Sequence, residues 1–184
     1  MTTGHSFIAT SLDGFVARPN HALDWLMKHS TEGEDHGYAA FMAGVDGLVM
    51  GRGSFKTLLT FDAWPYQKPV VVMSHSLTPA DVPDALQNKV QITQLGPKAL
   101  MAQLHTQGWQ QAYIDGGLVI QSFIRLGLIA DITLTTIPIL IGEGIRLFGM
   151  VDQDIDLKLI QSRSFASGLV QNHYQFCQPT HGEA

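Results

Sequence analysis

Two short stretches carry residue types suited to holding phosphate, Gly51-Arg52-Gly53-Ser54 and Asp115-Gly116-Gly117. Each follows a short apolar run and opens an amphipathic one, the pattern of strand, glycine turn and helix start. Glycines let the backbone turn sharply and leave no side chain over the helix start. A helix start offers unpaired N–H groups and a partial positive charge, so it suits an anion. Arg52 adds a fixed positive charge, and Ser54 a hydroxyl placed to cap a helix over Phe55–Leu59. Two such turns at the carboxyl edge of one sheet would grip both ends of one diphosphate, so the expected ligand is a dinucleotide. Taken singly, a glycine pair is as good a purely structural turn, and an exposed arginine serves as readily in a surface ion pair.

A third stretch, Ser74-His75-Ser76, ends another apolar run some twenty residues beyond Gly51. In the common dinucleotide fold an acid at that place binds the ribose hydroxyls of NAD. Here two hydroxyls and an imidazole stand instead. That set tolerates a 2′-phosphate and favours NADPH over NADH. The glycine fingerprint is incomplete, because Lys56 stands where a third glycine would be. For proton transfer the candidates are Asp13 and Asp35. Asp13, beside Gly14, is equally well explained as a turn residue.

These groups need elements to position them. The pattern predicts strands at Gly4–Thr10, Asp46–Met50, Pro69–Ser74, Val90–Thr93 and Ala112–Ile114. Helices are expected at Tyr38–Ala43, Phe55–Leu59, Pro97–Thr106 and along the stretch ending at Arg125. The continuous apolar run of Pro69–Ser74 suits a strand covered on both faces. Beyond Gly127 the pattern changes to Ile129–Ile141, Leu157–Ser164 and Gly168–Cys177, three strands with little helix between them. Early parallel units and a late antiparallel part make a mixed sheet, with 1–184 forming one domain.

Composition narrows the function classes. A net charge of −5 with no Lys/Arg run excludes a basic footprint for nucleic acid. The single cysteine, Cys177, excludes an intrachain disulfide. No HExxH, cysteine cluster, GxSxG or GxxxxGK motif occurs, so no metal site, nucleophile elbow or phosphate loop of those kinds is expected. The first residues lack a basic region and a long apolar core, and no apolar run reaches spanning length, so a cytoplasmic location is expected. Charged residues make up only 15%, below the usual quarter, which leaves room for a buried interface between copies.

The motifs in order resemble the dihydrofolate reductase-like superfamily, in particular the reductase domain of the bacterial riboflavin-biosynthesis deaminase-reductase and its small stand-alone relatives. The resemblance rests on Ser11-Leu12-Asp13-Gly14-Phe15-Val16-Ala17, Val49-Met50-Gly51-Arg52, Ile114-Asp115-Gly116-Gly117 and the run Pro138–Phe148. It implies a three-layer α/β/α fold around a mixed, mostly parallel sheet with antiparallel C-terminal strands. It also implies NADPH as hydride donor, a small heterocyclic substrate of pterin or pyrimidine type, and a homodimer. Carried over, Gly51, Arg52, Gly53 and Ser54 contact phosphate, and Ser74 and His75 lie by the 2′-phosphate. Asp115, Gly116, Gly117, Leu118 and Val119 lie along the diphosphate and nicotinamide side, with Ala9 near the nicotinamide amide. The acidic substrate residue of folate reductases precedes the second strand, and Asp35 falls at about that spacing. A non-catalytic NADPH-binding homodimer and a flavin-binding protein are the rival expectations.

Overall fold

The apolar side chains of the short strands alternate between two faces, and both faces must be covered. In the computed structural model, which describes residues 1–177, the strands are β1 (Thr3–Ser11), β2 (Phe15–Ala17), β3 (Gly47–Gly51), β4 (Val70–Met73), β5 (Val90–Thr93), β6 (Gln111–Ile114), β7 (Ile129–Ile137), β8 (Ile145–Arg146), β9 (Leu157–Ser164) and β10 (Val170–Phe176). The helices are α1 (Tyr38–Gly44), α2 (Arg52–Leu58), α3 (Pro97–Thr106) and α4 (Gly117–Arg125). Eight strands form one sheet in the order β5-β4-β3-β6-β1-β7-β10-β9. The first six in that order are parallel, β10 runs antiparallel to β7, and β9 runs antiparallel to β10.

Within β3, Val49 joins a core with Leu100, Met101 and Leu104 of α3 and Ile120 and Phe123 of α4. Its neighbours Leu48 and Met50 point the other way, to Phe55 of α2, with Phe41 and Met42 of α1 packed against that cluster. Helices therefore cover both faces, and the fold is the three-layer α/β/α arrangement the motifs implied. Each fully buried Leu, Ile or Phe contributes about 1.5–3 kcal/mol. Among the described residues no helix is long and apolar enough to cross a membrane.

Two features depart from the sequence reading. The second helix starts at Arg52, not at Phe55, because Gly51 is already extended (φ −89, ψ 168) and stands as its N-cap. Ser54 therefore lies inside the first turn and caps nothing. The second departure is a two-stranded ribbon, β2 with β8, in segments read as loop and motif. Gly14 N–H is tied to Ser11 O, and Leu147 N–H donates to Gly14 O at 3.1 Å, which seats the ribbon beside the end of β1.

One imidazole ties three strands of the sheet together. His5 on β1 places Nδ1 2.7 Å from Asp131 Oδ2 on β7 and Nε2 on Gln111 Oε1 of β6. The same carboxylate lies 3.4 Å from His173 Nε2 on β10. Both partners of His5 are acceptors, so the imidazolium satisfies both. Burial alone pulls the His5 pKa down, but the hydrogen bond and charge of Asp131 and the Gln111 amide outweigh it and raise it. The sign follows from linkage: this stabilisation is complete below the unfolded histidine pKa of about 6.5 and fades as pH rises through the raised folded value. The excess stability of the parent over His5→Gln, read from urea midpoints, is therefore expected to be larger at about pH 6 than at about pH 8.5. An excess that is flat with pH counts against a charged His5.

Candidate active site

Parallel neighbours end at the same edge, so the turns after β1, β3, β4 and β6 lie together. β3 and β6 are adjacent, and Asp115 N–H donates to Val49 O at 2.8 Å. This sets the heads of α2 and α4 side by side. The packing leaves no room for side chains there. A Cβ on Gly51 would lie 3.0 Å from Val119 Cγ2, and one on Gly116 would lie 2.6 Å from Ser54 Oγ. Gly116 also has φ +87, a conformation suited to glycine. The two glycine turns expected from the sequence thus meet in one continuous cradle at the two helix starts.

Arg52 is exposed on this cradle and donates from Nη1 to Ser76 Oγ at 2.9 Å. The three residues after β4 divide their tasks. Ser74 is buried, and its Oγ accepts from Ser76 N and Leu77 N at 3.2 and 3.0 Å, so it shapes the turn. His75 and Ser76 are exposed. The hydroxyl presented next to Arg52 is that of Ser76 rather than Ser74. Over Gly53 lies the imidazole of His21, whose Nδ1 would be 2.7 Å from a Cβ there. His21 has φ +68, and its strap is fixed by two Arg18–Asp24 contacts of 2.6 and 3.0 Å. Leu118 is 67% exposed on the first turn of α4, while Val119 packs toward Gly51.

Asp115 stands between the two helix heads, and its chemistry differs from that of a phosphate turn. Burial pushes its carboxyl above the usual carboxylate range, against hydrogen bonds from Tyr113, Ser54 and Gly116 N–H that favour the charged form. The Tyr113 hydroxyl reaches Phe7 O at 2.7 Å and Asp115 Oδ1 at 3.3 Å. A phenol has one hydrogen. Given to the shorter contact, it leaves the longer one best satisfied when Asp115 itself carries a proton. The structure therefore presents a desolvated acid able to hold and release a proton.

The two carboxyls singled out in the sequence are engaged otherwise. Asp13 accepts from Ile141 N at 3.1 Å and Gly142 N at 2.8 Å, which clasps the β1–β2 turn to the loop after β7. These contacts, with a side-chain hydrogen bond to Ser11, hold its pKa below the carboxylate range, so it stays ionised and is a poor acid. Asp35 is exposed and accepts from Gly37 N–H at 2.8 Å in the bend before α1, outside the cradle. The segment around it is fastened to the β9–β10 turn, with Glu34 accepting from Ser167 N and Oγ at 2.8 and 2.7 Å.

On the α1 face of the sheet lies a cleft of about 160 Å³. Phe7 and Phe41 wall it, and Thr133, Gln161, Arg163, Gln171 and His173 line it with polar groups. Ala9 follows Phe7 by two residues on β1, so it shares that face, where it packs against the Trp25 cluster. The ring nitrogens of His36, which also lines the cleft, make no hydrogen bond among the described residues. Two aromatic walls and a polar lining that includes the Arg163 guanidinium suit a small, planar, polar heterocycle.

The chain is similar to known proteins along nearly its whole length. A candidate riboflavin biosynthesis protein of Shewanella sp. PV-4, of known structure, superposes with a TM-score of 0.89 at 38% identity, over 96% of this chain and 100% of that one. The uncharacterized protein YwjB of Bacillus subtilis (strain 168) is 31% identical over 172 residues, 91% of this chain and 94% of its own. Dihydrofolate reductase from Enterococcus faecalis, solved with NADP(H), shares the fold with a TM-score of 0.60 at 15% identity, over 96% of this chain and 97% of that one. The dihydrofolate reductase-like fold is thereby established. The model of the family described as RibD C-terminal domain matches residues 3–171, a span that takes in both glycine turns, Asp115 and the ribbon, and the chain belongs to that family.

Proposed function

We propose that the chain is an NADPH-dependent reductase that transfers a hydride to a C=N or C=O carbon of a small pterin- or pyrimidine-like heterocycle. The observation that carries this reading is the juxtaposition at one sheet edge of a glycine-lined cradle at two helix heads and a desolvated acid, Asp115, between them. The cradle suits a dinucleotide because two glycine-bearing helix starts and the Arg52 guanidinium converge at one sheet edge. In this reading Gly51, Gly53, Gly116 and Gly117 offer backbone to the diphosphate. Arg52 and Ser76, with His75 beside them, face the 2′-phosphate. NADPH, when bound, supplies the hydride. The chain's own residues do the rest. Phe7, Ala9 and Phe41 orient the heterocycle and exclude water. Asp115 holds the proton that the reduced nitrogen or oxygen needs. Asp13, in place of acting as an acid, holds the site's rim closed.

The chain is proposed to act as a homodimer. β9 is the edge of the sheet, and Leu157, Leu159 and Ile160 are exposed on it. An open edge carrying apolar side chains invites pairing.

Titration of NADPH and NADH into the purified protein, followed by fluorescence and melting temperature, tests the reading, because a ligand of the folded state raises apparent stability. NADPH is expected to bind more tightly than NADH. Arg52→Ala is expected to weaken NADPH by about tenfold or more, the scale of a lost charged hydrogen bond, and NADH by less. Absence of a shift with either nucleotide sinks the reading and leaves the glycine turns structural.

A further inference from the structure

Four strands bring one row of side chains to the cleft. Phe7 on β1 pairs with Thr133 on β7, Thr133 with His173 on β10, and His173 with Gln161 on β9, and all four line the cleft. Neighbouring strands lie about 4.8 Å apart, so the row runs from its aromatic end at Phe7 to His173 over about 10 Å. His173 Nε2 faces Asp131 Oδ1 at 3.4 Å, and His5 Nδ1 holds the other oxygen, Oδ2, at 2.7 Å. Gln111 holds His5 in turn, at Nε2. A carboxylate only accepts, so it keeps a hydrogen on His173 Nε2 and, in the neutral ring, leaves the lone pair on Nδ1. The side chain is 36% exposed, within reach of a ligand. The other polar residues of the cleft are less suited to accept a hydrogen. Gln171 is buried and donates to His36 O and Thr135 Oγ1 at 3.1 and 3.0 Å. Arg163 only donates, and its guanidinium lies over the Phe165 ring at 5.0 Å. Both ring nitrogens of His36 are buried. Thr133 and Gln161 donate as readily as they accept. Among the described residues no aspartate or glutamate lines the cleft.

We propose that His173 is the substrate-contacting residue that recognises the heterocycle, its Nδ1 accepting a hydrogen bond from a ring N–H, and that Asp131 is the residue that positions it. This rests on the reductase reading above, which seats the substrate in the cleft. No bond is made or broken at His173, and the proton transfer stays with Asp115. The class of ring follows from the lining. A cationic amidine would find no counter-charge there, and Arg163 would oppose it. A neutral lactam, with an N–H beside a carbonyl, suits His173 as acceptor and Arg163 as donor. These two are diagonal neighbours on adjacent strands, since Arg163 pairs with Gln171, two residues before His173. Protonation of His173 removes the lone pair, so an imidazolium cannot accept from the ring. The charged and titratable groups around it are Asp131 on β7 with His5 of β1 behind that carboxylate, Arg163 on β9, and His36, which also lines the cleft. Recognition of the ring N–H is therefore weaker in acid.

Pterin carries a lactam N–H, and 3-methylpterin has a methyl group in its place. Titration of each into the full-length protein, followed by pterin fluorescence, reads the contact. At about pH 7.5 the parent is expected to bind pterin about tenfold or more tightly than 3-methylpterin, the scale of a lost hydrogen bond. In His173→Phe the two are expected to bind alike, because no acceptor remains. In His173→Gln, whose amide oxygen accepts, part of the preference is expected to return. The parent's preference shrinks at about pH 5.5, where histidine gains a proton, and that of His173→Gln does not change with pH. Both variants are expected to keep the parent's melting temperature and NADPH affinity. His173→Gln, through its flat pH response, serves if His173→Phe does not fold. Equal binding of the two pterins by the parent overturns the proposal, as does a preference that is the same in the parent and in the variants. A protein that binds no NADPH yet shows the histidine-dependent preference refutes the reductase reading and leaves the contact standing. One that binds NADPH but neither pterin refutes the contact and leaves the cofactor reading standing.

Discussion

Asp115→Asn is expected to lower turnover by about 10²–10⁴-fold, the contribution of a positioned general acid, with NADPH affinity nearly unchanged. Asparagine keeps the shape and can still bond Ser54 and Tyr113, so the cradle stays intact; only the exchangeable acid is lost. Steady-state oxidation of NADPH in the presence of a pterin or pyrimidine acceptor measures the first quantity, and fluorescence titration the second. The pH profile adds a sign. The acid form is the active one, so parent turnover falls as pH rises through the Asp115 pKa, and burial moves that fall above the ordinary carboxylate range. The variant has no such limb. Unchanged turnover in Asp115→Asn removes the residue from the chemistry, whereas a parent protein that oxidises no NADPH with any such acceptor restores the non-catalytic NADPH-binding dimer as the better reading.

The second large effect is expected at Gly117, the first residue of α4. A Cβ there would lie 2.8 Å from Arg146 O on β8 and 3.0 Å from Val16 Cγ2 on β2. The valine could rotate, but the backbone carbonyl cannot move without opening the ribbon. Gly117→Ala is therefore expected to cost about 1–3 kcal/mol, the range for overpacking, and to lower the melting temperature by about 2–4 °C per kcal/mol in a chain of this size. NADPH affinity is expected to fall by about tenfold or more, since each 1.4 kcal/mol of misfit at the cradle is tenfold in binding. Gly96→Ala is the control, because nothing lies within 4 Å of its Cβ position. A Gly117→Ala protein that melts and binds as the parent does shows that the ribbon is not seated on α4.

What could be read in the sequence was what depends on neighbours in the chain. The apolar runs at Asp46–Met50 and Ala112–Ile114, each followed by glycines, announced both halves of the cradle, because strand, turn and helix start are local. Local pattern did not show that Gly51 alone would start α2. With the helix starting three residues early, the Ser54 hydroxyl faces Asp115 instead of a backbone cap. Asp13 was read as an acid or a turn residue, yet its partners Ile141 and Gly142 lie 128 and 129 residues away. Asp115 was placed along the diphosphate, since its burial and its contact with Ser54 of α2 arise from packing that no spacing rule reveals. The ribbon escaped notice because strands of three and two residues carry no period to detect.

The ribbon also sets an order of events as the chain is made. Both glycine turns lie within the first 117 residues, but the strand that roofs them, β8, lies at 145–146, and the loop that Asp13 clasps lies just before it. Contacts spanning some 130 residues carry the loop-closure cost of a long segment and form late. A nascent chain emerging from the ribosome would display the glycine turns before the ribbon could pack against Gly117. Competence to hold a cofactor would then arrive in one step, with the C-terminal third, rather than growing residue by residue.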